Sequence, residues 1–183
     1  MIRLLAISLS VIISSSSLLG QINQKDAQGR KQGEWVKKHP NSSVIMYKGT
    51  FKNDKPVGTF TYNYPSNKIK AIIKHADNSI RSEAYYYFEN GKLMSHGIYR
   101  NMKKDSVWVS FNEDGRITMT ETFKNDQLNG VWKTYNLQGT LVGVQTFENN
   151  IQKGLSTTYW IDGKRIMDEK EILDGERNYI QRN

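Results

Sequence analysis

The chain has 183 residues, a formal net charge of +8, three histidines and no cysteine. Without cysteine there is no disulfide framework, no thiolate metal site and no cysteine nucleophile. Aromatic residues make up 11% of the chain against three prolines, a composition that folds rather than staying disordered.

Residues 1–20, MIRLLAISLSVIISSSSLLG, differ from everything that follows: Arg3 precedes a short apolar run, Leu4 to Ile13, then serines, then Leu18, Leu19 and Gly20. The run is about half of the roughly 20 residues a membrane-spanning helix needs, so it reads as a cleaved secretory signal peptide. Cleavage after Gly20 or within the serine run would serve, and the absence of a following cysteine excludes a lipoprotein anchor. The expected location is outside the cytoplasm: periplasmic, envelope-associated or secreted. Residues 21–32 read as a lead-in, residues 33–179 as a repeat array and residues 180–183 as a tail.

The array shows in three markers. Phe51, His75, Tyr99, Phe123, Phe147 and Ile172 recur at steps of 24, 24, 24, 24 and 25 residues. Gly58, Ser82, Ser106, Gly130 and Gly154 share the period, as do the aliphatics Ile45, Ile69, Leu93, Ile117, Leu141 and Ile166. Period-2 arithmetic makes an extended strand of segments such as Ile117 to Phe123 and Leu141 to Phe147, with the aliphatic and the aromatic on one face. Thr118, Thr120 and Thr122, or Val142, Val144 and Thr146, are β-formers on the other face. A second short strand lies ahead of each: Val107 to Phe111, Val131 to Tyr135, Leu155 to Tyr159. Asn90-Gly91, Asp114-Gly115, Gln138-Gly139 and Asp162-Gly163 supply positive-φ residues for the hairpin turn between the two strands. One unit is then a β-hairpin, with Asn125-Asp126 turning in the link to the next and Gly130 allowing a bend or close packing. A lone hairpin is marginal, and stacking hairpins side by side makes stability cooperative. The expected fold is all-β: an elongated single-layer array of antiparallel β-hairpins with a period of about 24 residues.

Tyr47-Lys-Gly49-Thr-Phe51 followed by Gly58, the Gly-x-Trp-x-x-Tyr beginning at Gly130 and the Asn-Gly-Lys-Leu beginning at Asn90 resemble MORN repeats. The variant they resemble is the degenerate one of the YwqK-family antitoxin proteins. The Gly49 position is kept at Gly97 but becomes Ile73, Glu121, Gln145 and Lys170 elsewhere. The resemblance covers about residues 33–172 and implies a twisted single-layer sheet acting as a binding platform.

Catalytic and metal chemistry find little support. His39, His75 and His96 are far apart in sequence, and His75 stands in an aromatic slot, which makes it a packing residue. Asp54 and Asp126 resemble fragments of calcium loops, but the alternating ligands and closing glutamate are missing, so they read as turn formers. No phosphate-binding glycine loop, nucleophile elbow or carboxylate pair is visible. The expectation is a non-enzyme with no cofactor and no bound metal.

Binding chemistry finds more. Trp35, Phe60, Trp108 and Trp132 share one slot and read as packing between hairpins, with a ligand-stacking ladder as the alternative. Tyr85, Tyr86, Tyr87 and Phe88 place aromatics on both faces of a strand, a candidate contact patch. Residues 21–104 hold 16 Lys or Arg against 6 Asp or Glu, and residues 105–183 hold 9 against 12. Lys37, Lys38, Lys68, Lys70 and Lys74, with Lys48, Lys52 and Lys55, form a candidate basic surface for an acidic partner or anionic lipid; the plainer role is solubility and protection of a sheet edge. The acidic tail Asp168 to Arg177 is a candidate cap for the other end. The functional expectation is an exported repeat scaffold that binds another protein through a sheet face or edge, with attachment to an anionic envelope surface as the alternative. An exported chain argues against nucleic acid as partner, and the oligomeric state stays open.

Overall fold

The computed structural model describes residues 21–76 and 80–158. The leader, the slots at Ile166 and Ile172, the Asp162-Gly163 turn and the acidic tail lie outside the described residues. The strands are β1 (Gln24–Lys25), β2 (Lys31–Lys38), β3 (Ile45–Lys52), β4 (Lys55–Asn63), β5 (Ile69–His75), β6 (Arg81–Tyr87) and β7 (Leu93–Arg100), followed by β8 (Lys103–Phe111), β9 (Ile117–Lys124), β10 (Gln127–Leu128), β11 (Gly130–Tyr135), β12 (Leu141–Glu148) and β13 (Ile151–Thr158). They form one open antiparallel sheet whose order follows the chain, with β10 pairing β9 beside β11. The hairpin array is as the periodicity predicts, and the lead-in adds an edge strand: Gln24 pairs with Gln32 and Lys25 with Lys31.

The markers are partners in register. Gly33 faces Phe51, Gly58 faces His75, Ser82 faces Tyr99, Ser106 faces Phe123 and Gly130 faces Phe147. Each hairpin therefore sets its aromatic against a residue that yields space or bends the chain.

Two details depart from the sequence reading. The links are hairpins too: Asn53-Asp54, Asn101-Met102, Asn125-Asp126 and Asn149-Asn150 all have positive φ at both residues, the geometry of two-residue type I′ turns. The Xaa-Gly turns are instead four-residue turns. Gly91 donates its N–H to the Phe88 carbonyl and Phe88 donates to Lys92, and the glycine, fourth residue of the turn, alone takes positive φ, 85° at Gly91. Asn67, at 64°, does the same work in the β4–β5 turn, and Asn41, at 54°, takes positive φ in the β2–β3 turn, neither of which has a glycine, because Asn tolerates the left-handed region.

The second departure concerns faces. Each such turn is followed by a bulge: Tyr62 pairs with Ala71 but Asn63 with Ile69, and the same shift recurs in a later hairpin, where Thr134 pairs with Gly143 but Tyr135 with Leu141. One extra residue reverses the phase of alternation. The aliphatic marker therefore lies on the face opposite its aromatic, not on the same one; Ile69 sits with Ile72 and Tyr87 around a shallow cleft there. The single-layer sheet consequently carries an apolar stripe on each face.

Candidate functional site

The first stripe is a ladder of rings. Trp35 meets Phe51 at a centroid distance of 5.9 Å, Phe51 meets Phe60 at 5.0 Å and Phe60 meets His75 at 5.2 Å, each edge to face. The ladder then misses a rung, because the next slot holds Ala84, and resumes with Tyr99 against Trp108 at 5.0 Å. Large and small residues alternate across strands. A Cβ on Gly49 would overlap the Phe60 ring, and one on Gly97 would overlap the Trp108 indole. Where the glycine slot is filled by Ile73, its partner across β5 and β6 is Ala84. At Ile73 the drift is a matched exchange of volume, in keeping with close packing, whereas Glu121 and Gln145 fill the slot opposite Trp108 and Trp132. The tryptophans occupy the core slot that the sequence reading gave them, and Trp108 donates its indole N–H to the Ile98 carbonyl at 3.1 Å. Trp132 has no such partner for its buried Nε1 among the described residues.

A cleft lies beside the interruption. It has a volume of about 750 Å³ and is walled by Phe51, Phe60, His75, Ser82, Tyr86 and Tyr99, among others. The link beside it is also different: His75 pairs directly with Ser82, whereas Ser106 in the equivalent slot is bulged out at φ 61°. Ser82 is therefore buried, and its Oγ lies 2.7 Å from His75 Nδ1. Opposite, the Tyr86 and Tyr99 hydroxyls are 3.0 Å apart. Burial pushes the His75 pKa down, and burial together with the bond to Tyr99 pushes that of Tyr86 up. The cleft is apolar in its walls with two polar pairs, the usual make-up of a binding site.

On the other face Tyr85 stacks on His96 at 6.1 Å and His96 on Phe111 at 5.8 Å, with Lys74 Nζ 5.5 Å from the Tyr85 ring. Tyr85, Tyr86, Tyr87 and Phe88 are thus divided: Tyr85 and Tyr87 belong to this face, Tyr86 to the cleft, and Phe88 begins the turn. The five lysines are all exposed and are divided as well. Lys37 pairs with Tyr47, whose ring joins the ladder, whereas Lys74 is on the Tyr85 side; Lys70 stands over Tyr64 at 5.6 Å, Lys68 closes the turn after Tyr64, and Lys38 faces Ile45.

Two lysines that pack on the ladder were missed by sequence reasoning. Lys31 Nζ sits 4.8 Å from the Trp35 ring and 4.6 Å from Phe51, and Lys104 Nζ sits 4.6 Å from both Trp108 and Phe123, cation–π contacts that cap the ladder. Their equivalent sequence slots held the signal. The turn acids act as clasps: Lys31 donates its backbone N–H to Asp54 Oδ1 at 2.8 Å, and Lys104 donates to Asp126 Oδ1 at 2.6 Å. Among the described residues no three His, Asp or Glu side chains gather in a metal-holding group.

Residues 82–101, which span β6, its turn and β7, match the family model described as a MORN repeat variant. No curated protein matches the chain. Among solved structures it is similar to TarM at 13% identity and a TM-score of 0.38, over 63% of this chain and 21% of that one. A second similarity is to an S. aureus TarM mutant in complex with Fondaparinux, alpha-GlcNAc-glycerol and UDP, at 12% identity and a TM-score of 0.39, over 64% of this chain and 20% of that one. The chain spans about a fifth of the TarM chains it matches. Residues 82–101 thus carry a MORN repeat variant, and hairpins follow one another in chain order along the same open antiparallel sheet.

Proposed function

We propose that the chain is an exported, non-enzymatic scaffold that binds another protein through a face of its sheet. One observation carries the reading: the apolar side chains buried among the described residues are Phe60, Ala71, Ala84 and Trp108, while the remaining rings of both stripes stay part-exposed. Stripes of this kind are favourable surfaces for a partner that excludes water from them. The non-enzymatic reading rests on the short regular turns, and we read the hydroxyl–imidazole contact in the cleft, Ser82 Oγ to His75 Nδ1 at 2.7 Å, as the hydrogen bond of a packed pair. Export rests on the leader at residues 1–20.

The test is affinity capture from the secreted and envelope fractions with the intact protein, against a variant whose ring-face residues Tyr62 and Tyr99 are replaced by serine. Enrichment of a partner by the wild type alone is the expected result. Equal recovery by both proteins would remove the sheet face from the reading. The rival occupant is an anionic envelope surface reached through the basic half: binding to phosphatidylglycerol vesicles that fades with salt and is lost on reversing Lys68, Lys70 and Lys74 to glutamate would establish it instead.

A further inference from the structure

We infer that residues 22–25 are a stop built onto the edge of the sheet, and that Asn23 in particular keeps β2 from pairing with a second copy of the chain. Partner binding through a sheet face neither requires this stop nor is altered by it. β1 stands before β2 as β3 stands before β4 and β7 before β8, yet β3 and β7 run for eight residues and β1 for two. β2 itself has eight residues, and a strand of that length with its outer N–H and C=O groups open is a template for strand addition.

Asn23 closes part of the edge that β1 does not reach. β1 supplies two pairs, Gln24 with Gln32 and Lys25 with Lys31. Past them, the Asn23 N–H donates to the Glu34 carbonyl at 2.8 Å, and Asn23 Oδ1 accepts the Val36 N–H at 2.8 Å. Glu34 and Val36 stand two residues apart, so these backbone groups point to the same side of β2, the side away from β3. At Asn23 φ is 60°, a left-handed turn that takes the chain out of line, and Gln21 and Ile22 are no longer strand. The main chain leaves β2, and an amide side chain takes the N–H that an added strand would need. Asparagine suits the post because it tolerates the left-handed region and carries a short acceptor. The Gln24 carbonyl accepts the Trp35 indole N–H at 3.2 Å, which ties the stop to the first ring of the ladder. Exposed Lys25, Lys37 and Lys38 set like charge against an identical edge, a common guard against edge pairing.

The experiment follows self-association of the intact protein by sedimentation velocity over a concentration series, comparing wild type with Asn23→Gly and Asn23→Asp. Glycine keeps the left-handed backbone and removes the acceptor, whereas aspartate keeps both. Asn23→Gly should associate at about tenfold lower concentration than wild type, the scale of one hydrogen bond left unmade, and Asn23→Asp should behave as wild type. Adding Val36→Pro to Asn23→Gly should return association to the wild-type level, because proline offers no N–H and is tolerated on an outer edge. Since a proline in β2 can unfold the strand, amide exchange serves alongside: the Val36 N–H should be protected in wild type and exchange faster in dilute Asn23→Gly. An Asn23→Gly protein that associates no more than wild type would overturn the inference. So would association that persists in the folded double variant, or a Val36 amide that exchanges equally in wild type and Asn23→Gly.

Discussion

Gly97 lacks a side chain because the Trp108 indole occupies the space one would need. Gly97→Ala should therefore destabilise the protein by roughly 1–3 kcal/mol, as overpacking in a filled site does, seen as a lower urea midpoint. Gly143→Ala is the comparison, since its Cβ would meet chiefly the rotatable hydroxyl of Thr134; equal effects at the two positions would mean that ring stacking is not the cause. His75 yields a second prediction at this scale. Burial holds its pKa below the ordinary value, so as pH falls the unfolded chain takes up the proton first. Stability contributed by the neutral imidazole is full above the unfolded-state pKa of about 6.5 and is lost as pH falls through the lower folded-state value. His75→Phe, which copies the residue at 51, 123 and 147, should remove this part of the acid sensitivity. The measurement is the change in urea midpoint between about pH 7.5 and about pH 5, in a window where few other groups titrate. A slope unchanged by the substitution would rule His75 out as its source.

At the scale of the turn, successive units are fastened by paired bonds that bridge one link to the next. Asp126 donates its N–H to the Lys104 carbonyl at 3.0 Å and accepts the Lys104 N–H on its side chain; Asn150 repeats both bonds with Leu128. Asp126→Ala should cost about 1 kcal/mol, the net worth of such a bond, whereas Asp126→Asn should be nearly neutral, since Asn150 already does the work with an amide. Thermal midpoints of the two variants check this, and a large drop with asparagine would show that the charge rather than the acceptor matters. The turn role of Asp54 and Asp126 was legible in the sequence; the clasp was not, because its partners lie 22 or 23 residues away and the signal is a backbone N–H that every residue but proline carries. The hairpins and the ladder were legible for a related reason: period and register are one quantity in a sheet whose neighbours in space are neighbours in sequence. The face of the aliphatic stripe was not, because a bulge adds a residue without marking it by composition. The cleft was not legible because its walls, Phe51, Phe60, His75, Ser82, Tyr86 and Tyr99, come from five strands that a reading along one strand does not join.

At the scale of the whole sheet, a strand order that follows the chain means that, among the described residues, each hairpin pairs with its neighbours in sequence. Length is then adjustable in whole units and in no other increment. Removing residues 101–124 joins Arg100 to Asn125, and because the interval equals one 24-residue period it restores the Asn-Asp turn, sets Trp132 in the slot of Trp108 over Gly97, and puts Asn125 and Asp126 in the place of the cleft-lining Asn101 and Met102. That shortened protein should fold as a sheet with a lower thermal midpoint, having two strand junctions fewer. Removing residues 101–123 retains one residue more at the splice. With the alternation period of two, the strands beyond the splice then present their rings on the wrong face, unless the extra residue is absorbed as a bulge at the turn. The second deletion should therefore show a lower midpoint still, or a loss of the β-sheet circular dichroism signal. If the two deletions melt together, stability does not depend on the phase of the rings, and the ladder is not what holds the units to one another.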